Sequence, residues 1–250
     1  MISQEVLDVV GLHPPTRFSA RPSGISQALR AISRDEAVPA DSGTAKELTI
    51  CPIRHSWDLE EVYRLTHDAY LARGYCLPQP DGRLVHYPHL DGIPETTVLV
   101  AILNGAVAGT NSLTLDGLRG LHVDHDFKAE CDAVRAEGRT LAASWRIATQ
   151  EELRNETRVV MALIQETVRL LIQKGVQTCV FTFNPRHERI YKKLLNMETL
   201  ARHEGSVGAL QNAPAVFMRL DTEKIPERWR DTQELRDALQ RIRELAGQTA

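Results

Sequence analysis

The sequence predicts an α/β (α+β) protein in which a mixed central sheet is flanked by helices. Strand-like and helix-like runs alternate between residues 46 and 222. Two of the strand-like runs are joined by Asn104-Gly105, a pair typical of tight hairpins. A chain of 250 residues can bury one substantial core, so we expect one domain at 46–222 with an extension at each end.

The first half of the domain contains a strand, a helix, a long loop and the hairpin. The run ELTICPI at 47–53 is typical of a strand, and Asp58 can cap a helix that continues to about Arg73. Residues 74–96 are rich in Gly, Pro and aromatic residues, and loops of that length are usually functional or disordered. The hairpin follows this loop directly.

The second half alternates in the same way. Its predicted elements are a short helix at 128–137, a strand at 139–149, a long helix at 156–175 that ends at Gly175, a strand at 176–183, a basic helix after Asn184-Pro185 and a last strand at 213–222. The extensions are an N-terminal segment at 1–45 and an amphipathic C-terminal helix at 223–250, which we expect to dock on the domain.

Composition and charge exclude several classes of protein. Hydrophobic residues make up 42% of the chain and charged residues 25%, as in globular proteins, and no apolar run approaches the length of a membrane span. The net charge of −3 argues against nucleic acid as the main partner. The N-terminus lacks the pattern of a secretion signal, and the four scattered cysteines are typical of reduced, mostly buried thiols. We therefore expect a cytoplasmic location.

Several segments resemble a known family. FTFNPRHERIYKKLLNMET at 181–199 resembles the strand-turn-helix segment of the GNAT N-acyltransferases, in which an Asn ends a strand and a Tyr follows seven residues later. PETTVLVAI at 94–102 and NAPAVFMRLD at 212–221 resemble the long-chain N-acyl amino acid synthases of the FeeM type, which are relatives of the acyl-homoserine-lactone synthases. In order and spacing the resemblance covers about residues 46–222.

The resemblance implies transfer of a long-chain acyl group from an acyl carrier protein to the amine of an amino acid. In a GNAT fold two parallel strands, here 140–148 and 178–183, splay apart and leave backbone amides to bind the pantetheine arm and the thioester carbonyl. Tyr191 would protonate the leaving thiolate, although a helix tyrosine buried for packing explains the same spacing. The further residues expected at the substrate site are Tyr75, Ser144, Trp145, Arg146, Thr182, Phe183 and Asn184. The loop at 74–96 would help to wall the acyl chain.

The acyl donor can be inferred from a missing motif. Members of the superfamily that use CoA carry a glycine-rich segment before the long helix, where backbone amides approach the pyrophosphate. This chain has TQEELRNETR at 149–158, without glycine and with three glutamates. We therefore expect a carrier-protein phosphopantetheine thioester as donor, acyl-CoA less readily, and no tightly bound cofactor. The basic residues available to an acidic carrier protein are Arg154, Arg158, Arg186, His187, Arg189, Lys192 and Lys193, which would otherwise only solvate two helices.

One position departs from the family pattern. The related synthases carry a glutamate on the central strand where this chain has Ala143. Glu130 is the best substitute base in the sequence; an amine that arrives neutral, or a chain that has lost the reaction, are the alternatives. Ser144 and Arg146 could orient a substrate carboxylate.

Three other functions compete with acyl-carrier-dependent synthesis. They are a CoA-dependent N-acetyltransferase, a catalytically silent protein that binds an acyl ligand or a partner, and a metal hydrolase. The third would use the loop histidines of HYPH (His86, His89) and HVDHD (His122, His125), whose spacing suits zinc. Neither motif has a third ligand in the sequence, so bracing of loops is the stronger interpretation and no metal site is predicted.

Overall fold

The computed structural model describes most of the chain between residues 47 and 229. The described ranges are 47–53, 58–153, 157–208, 210–211 and 213–229. The extension predicted at 1–45 lies outside them. So does most of the helix predicted at 223–250, whose first residues belong to short 3-10 turns at Thr222–Lys224 and Glu227–Trp229.

Seven strands in these ranges form one sheet, in the order β1-β2-β3-β4-β5-β7-β6. They are β1 (Leu48–Pro52), β2 (Thr96–Leu103), β3 (Ala106–Leu115), β4 (Leu141–Thr149), β5 (Thr178–Phe183), β6 (Glu198–His203) and β7 (Ala215–Asp221). All neighbours are antiparallel except β4 and β5. The predicted mixed sheet with a parallel pair at its centre is therefore confirmed.

Four α-helices of the described chain cover the two faces of this sheet. They are α1 (Asp58–Leu71), α2 (Lys128–Arg135), α3 (Thr157–Gln173) and α4 (Glu188–Leu195). On the face that we call the α3 face, Leu163 of α3 and Tyr191 of α4 belong to the buried apolar clusters. Val62 of α1 and Cys131 of α2 are fully buried on the opposite face, the α1 face. No described helix combines the length and the apolar composition that crossing a bilayer requires.

Local sequence signals explain how these elements end. Asn104 and Gly105 have φ angles of 52° and 77°, the left-handed pair that a two-residue hairpin turn needs. Asn196 ends α4 with a φ of 57°, where its N–H donates to the Lys192 carbonyl. All four cysteines are free thiols, and three of them are buried.

The parallel pair forms a fork. β4 and β5 pair from Leu141↔Thr178 to Ser144↔Phe181, and the ladder between them stops there. β4 continues to Thr149 while β5 ends at Phe183. Each arm stays paired on its outer side, β4 with β3 and β5 with β7, so the arms are held apart by the rest of the sheet. The fork is the splayed pair that the GNAT resemblance implies.

One strand is missing from the sequence prediction. β6 is an edge strand that pairs with β7 from Glu198↔Arg219 to His203↔Ala215. Its sequence, ETLARH, is mostly polar, and none of its residues is fully buried. An edge strand of this kind is stabilised by its ladder with β7 more than by its own propensity, so the local pattern gives little signal.

Candidate active site at the fork

A β-bulge on β4 redirects the side chains at the mouth of the fork. Ser112 pairs with Trp145 and Thr110 with Ala148, so two residues of β4 lie opposite one residue of β3. Arg146 occupies the bulge with a φ of 60°, a left-handed conformation that costs a residue with a side chain about 1–3 kcal/mol. Trp145 and Arg146 consequently both lie on the α1 face, although they are neighbours in a strand.

Arg146 lies in a buried ion pair. Its side chain is fully buried and Nη2 donates to Oδ1 of Asp91, a residue of the long loop whose own side chain is 5% exposed. The other carboxylate oxygen, Oδ2, accepts a 2.9 Å hydrogen bond from the Tyr63 hydroxyl of α1. The guanidinium also lies over the Trp145 ring, 4.1 Å from its centroid. These contacts fix the arginine while leaving part of its hydrogen-bonding capacity unused.

His122 lies at the point where the two arms part. It begins a short 3-10 turn, His122–His125, that contacts both β4 and β5. Its ring stacks on Trp145, with centroids 5.9 Å apart, and its Nε2 lies 3.2 Å from the Thr182 hydroxyl. Trp145 and Thr182 are the first residues of β4 and β5 beyond their last mutual pair. His122 therefore bridges the two arms.

A continuous set of rings connects this histidine to the long loop. The distances between ring centroids are 4.2 Å for His86 and Tyr87 and 5.6 Å for Tyr87 and His122. The ring centroid of Tyr70 lies 6.1 Å from those of both His86 and Tyr75. The loop is ordered against the sheet, because Tyr87 packs with Leu90 and Trp145 in one buried group. The residues of the loop thus form one wall of the fork.

Six buried polar atoms of this wall have no hydrogen-bond partner among the described residues. They are the Tyr75 hydroxyl, both ring nitrogens of His86, Nδ1 of His122, and Nε and Nη1 of Arg146. We call Tyr75, His86, His122 and Arg146 the polar cluster. Buried polar atoms in native proteins are nearly always paired, so a concentration of unpaired ones in one place indicates a site for a polar ligand.

The two histidines of the polar cluster are held neutral. Burial lowers the pKa of His122 to about 3, with His86 lowering it further and Asp124 opposing the shift. Burial, followed by the positive charge of Arg146, lowers the pKa of His86 to about 3. Each ring therefore keeps one nitrogen lone pair at neutral pH and can accept a proton or a hydrogen bond.

Tyr191 lies on the other side of the fork. Its ring stacks on Phe183 of β5, with centroids 3.9 Å apart and planes 9° from parallel. Burial raises the pKa of Tyr191 to about 12, so the phenol stays protonated at neutral pH. Asn184 ends the same arm, and its side chain accepts a hydrogen bond from the Arg186 backbone N–H. The predicted acid is thus buried beside the arm, and its catalytic role stays a prediction.

Ser144 lies in the core beneath α3. Its hydroxyl is 3.2 Å from Asn111 Oδ1, and Asn111 Nδ2 donates to Ser144 Oγ at 3.0 Å and to Thr167 Oγ1 of α3 at 2.7 Å. All three side chains are buried on the α3 face, opposite to Trp145. The expectation that Ser144 orients a substrate remains untested, and its hydroxyl already has protein partners.

The place of the missing base is apolar. Ala143 is fully buried and packs in one cluster with Val180, Phe127 and Cys131. Glu130, the proposed substitute, lies half-buried in the first turn of α2, next to Cys131. No hydrogen bond or ion pair of the described residues involves Glu130, so its role as base also stays a prediction.

The predicted carrier-binding residues lie on and around α4. Arg186, Arg189, Lys192 and Lys193 are exposed, and His187 is half-buried. Lys192 forms an ion pair with Glu188 at 2.8 Å. Arg158 lies in the first turn of α3, and Arg154 falls outside the described residues.

Within the described ranges, no group of three or more His, Cys, Asp or Glu side chains is placed to hold a metal ion. His86 and His122, which the sequence indicates only as zinc candidates or loop braces, instead belong to the polar cluster. Asp91 carries no sequence signal at all, since it lies in a loop 55 positions from its partner arginine. Only tertiary structure reveals these roles.

The forked seven-stranded sheet and its flanking helices have the GNAT-like fold. The chain belongs to the FeeM N-acyl amino acid synthase family, whose family model matches residues 61–221. This family membership makes it an N-acyltransferase of the N-acyl amino acid synthase type. No curated protein matches the sequence.

Solved structures share the fold at low sequence identity. FeeM, an N-acyl amino acid synthase from uncultured soil microbes, superposes with a TM-score of 0.63 at 20% identity over 77% of this chain and 99% of its own. The acyl-homoserine-lactone synthase LasI has a TM-score of 0.53 at 16% identity over 72% of this chain and 91% of its own. The CoA-dependent acyl-homoserine lactone synthase BjaI has a TM-score of 0.50 at 18% identity over 75% of this chain and 83% of its own. These similarities support the fold.

Proposed function

We propose that this protein transfers a long-chain acyl group from an acyl carrier protein thioester to the amine of an amino acid or a similar small amine. The observation that carries the proposal is the fork, which has unpaired polar atoms on its α1 face and a protonated phenol on its α3 face. An acyl transfer between a thioester and an amine needs groups of both kinds, on opposite sides of one carbonyl carbon.

The thioester carbonyl would lie between the arms of the fork. β4 and β5 no longer pair with each other beyond Ser144 and Phe181, so backbone amides on their inner edges can face a ligand. An amide aimed at the carbonyl oxygen would stabilise the tetrahedral oxyanion by about 3 kcal/mol. Trp145, Thr182 and Phe183 would flank the reacting group.

Tyr191 would donate a proton to the leaving thiolate. Its raised pKa of about 12 keeps the proton on the phenol at neutral pH, and the stack with Phe183 holds the ring beside the β5 arm. As the C–S bond breaks, the sulfur gains negative charge and can accept the proton of the phenol.

Arg146 would anchor an anionic group of the acceptor. The guanidinium keeps its charge in the buried ion pair with Asp91, and its Nε and Nη1 have no partner among the described side chains. Asp91 offsets one positive charge, so a carboxylate would contribute hydrogen bonds to N–H groups that are already desolvated. An amino acid presents such a carboxylate next to its amine. The Tyr75 hydroxyl offers a further contact.

The donor assignment depends on charge around the fork. The segment between β4 and α3 has no glycine, and Glu151 and Glu152 lie in its 3-10 turn, where a CoA pyrophosphate would be repelled. The exposed basic residues of α4 would instead attract an acidic carrier protein, whose arm carries only one phosphate. Arg158, in the first turn of α3, would extend that surface.

The test compares two donors with the same acyl chain. The purified protein is incubated with an amino acid panel and either acyl carrier protein thioester or acyl-CoA, and amide products are measured by mass spectrometry. We expect amide from the carrier thioester and a much smaller kcat/KM with acyl-CoA. Equal use of acyl-CoA would refute the donor assignment, and no amide from either donor with retained acyl binding would favour the silent alternative that Ala143 suggests.

A charge-reversal variant sharpens the donor test. Arg189→Glu with Lys193→Glu should raise KM for the carrier thioester roughly tenfold, with a dependence on ionic strength, and leave KM for the amine unchanged. Arg119→Glu is the control, because Arg119 is exposed in the loop after β3, whose Asp116 N–H donates to the Leu141 carbonyl at the start of β4. An equal effect of both variants would mean that α4 is not the docking surface.

A further inference from the structure

Near Ala143, where this chain lacks the glutamate of the related synthases, lies a side chain that can act as the base. Ala143 and Trp145 lie on the same face of β4, two residues apart, and the ring stacked on Trp145 is His122. Leu121 and Val123, on either side of His122 in the chain, pack in the same cluster as Ala143. His122 thus contacts the face of β4 on which the glutamate of the related synthases would lie. Its contact residue, Trp145, is two residues after Ala143 in the direction of the fork.

The hydrogen bond of His122 to Thr182 leaves one ring nitrogen without a partner among the described residues. Nε2 lies 3.2 Å from the Thr182 hydroxyl, and Nδ1 has no partner among the described residues although the side chain is 97% buried. In the tautomer in which Nε2–H donates to Thr182, Nδ1 carries the lone pair. A neutral imidazole with a free lone pair in a buried site can accept a proton, and no described residue donates a hydrogen bond to this nitrogen.

The groups around His122 favour the neutral ring before reaction. Burial and the nearby His86 lower its pKa, while Asp124 on the same 3-10 turn opposes them. Tyr87 and Trp145 contact it from the loop and from β4, and Thr182 contacts it from β5. Asp124 accepts hydrogen bonds of 2.6 and 2.7 Å from Arg135. The positive charge of Arg135 therefore offsets part of the effect of Asp124 on the His122 ring.

We propose that His122 accepts the proton of the attacking amine in this protein, in place of the carboxylate that Ala143 lacks. This inference rests on the proposed acyl transfer. It assigns the base to a residue of the fork itself rather than to Glu130 on α2.

The step balances as follows. The lone pair of a neutral amine forms the C–N bond at the thioester carbon, and the carbonyl electrons move to the oxygen. The resulting adduct nitrogen is positively charged and far more acidic than a free ammonium, so a weak base such as His122 can take its proton on Nδ1. The oxyanion then reforms the carbonyl, the C–S bond breaks, and the thiolate takes the Tyr191 proton. After the product leaves, the imidazolium releases its proton to solvent and the tyrosinate takes one from solvent, which restores both groups.

Glu130 is a weaker candidate on this geometry. It contacts neither arm of the fork through any hydrogen bond or ion pair of the described residues, and it belongs to a helix whose buried side chains are Cys131 and Val134. His122 contacts both arms directly.

The first measurement reads the resting state of His122 without needing activity. In protein labelled with nitrogen-15 histidine, NMR at pH 7 should show one ring that is neutral with Nε2 protonated and that disappears in His122→Gln. A charged His122 ring, or one protonated on Nδ1, would overturn the inference.

The second measurement uses single-turnover kinetics with the carrier thioester and the best amine. We expect His122→Gln to lower the acyl-transfer rate roughly 100-fold with little change in KM for either substrate, and the loss should be equally large at every pH well above 3, where the native ring is neutral. The matched control is His125→Gln, since His125 is exposed on the same turn and pairs only with Asp126 at 3.0 Å. It should react at the native rate.

The outcomes separate the two proposals. Native amide formation with an unimpaired His122→Gln, or with the loss confined to Glu130→Gln, would refute His122 as the base and leave acyl transfer intact. If the native protein forms amide from acyl-CoA alone, the donor assignment fails. The acyl-transfer rate of His122→Gln is then compared with the native rate using acyl-CoA as the donor. If it forms no amide, both proposals fail.

Discussion

The two faces of the sheet at the fork treat their polar groups in opposite ways. On the α3 face, Asn111, Ser144 and Thr167 are hydrogen-bonded to one another, and Tyr191 is stacked on Phe183. On the α1 face, His122 and Arg146 are also buried and Tyr75 and His86 are partly exposed, but all four have buried polar atoms without a partner among the described residues. Burial alone therefore does not distinguish a ligand site from the core. Completed networks brace the core, whereas incomplete ones await a ligand.

The largest effect should come from breaking the ion pair on the α1 face. Arg146→Met leaves the Asp91 carboxylate buried without its cation, which should cost about 3–5 kcal/mol in the free energy of unfolding. The measurement is urea unfolding. The double variant Arg146→Met/Asp91→Leu should lose less than the sum of the two single variants.

Arg83→Met is the control for that prediction. Arg83 pairs with Glu60 at 2.8 Å, but both side chains are partly exposed, so its loss should cost under about 1 kcal/mol. Additive losses in the Arg146 and Asp91 double variant would show that the two charges are not coupled.

A smaller effect, confined to the chemistry, should follow from changing the phenol on the α3 face. Tyr191→Phe keeps the ring that stacks on Phe183, so the unfolding free energy should change by less than about 1 kcal/mol. The rate of acyl transfer should fall roughly 100-fold because the leaving thiolate loses its proton donor. The defect should shrink with a thiophenyl ester, whose thiolate leaves without a proton. An unchanged native rate would assign Tyr191 to packing alone.

The smallest effect should come from the completed network. Ser144→Ala removes a hydroxyl that is bonded to Asn111 and should cost about 1 kcal/mol of stability. Because its partners lie under α3, kcat and KM for the amine should stay close to native values. A rise in KM for the amine, measured by steady-state kinetics, would instead place Ser144 at the substrate and weaken the distinction between the two faces.

Much of the fold could be predicted because it depends on local signals. Asn104-Gly105 specifies the hairpin turn, and Asn196 specifies the end of α4, because both positions need a positive φ that asparagine and glycine tolerate. The alternation of β-like and helical runs gives the order of elements. The sequence did not predict the edge strand β6, because its ladder with β7, rather than its mostly polar sequence, makes it a strand.

The candidate site was predictable only in part. The strand order places Tyr191, Trp145, Arg146 and Thr182 around the fork, so a family resemblance can locate them. The sequence does not predict the bulge that places Arg146 on the same face as Trp145, because arginine does not favour the left-handed conformation that this position adopts. The same holds for the partnership of Asp91 with Arg146.

The class of fold, the positions of its turns and the absence of the strand glutamate at Ala143 follow from the sequence alone. Tertiary structure decided which polar residues lack partners and where the substitute base can lie. The physical reason is that periodicity and turn chemistry act between residues close in the chain, while hydrogen-bond satisfaction depends on groups far apart in it. His122 and Thr182 are 60 positions apart, and only the closing of the sheet brings them to the same fork.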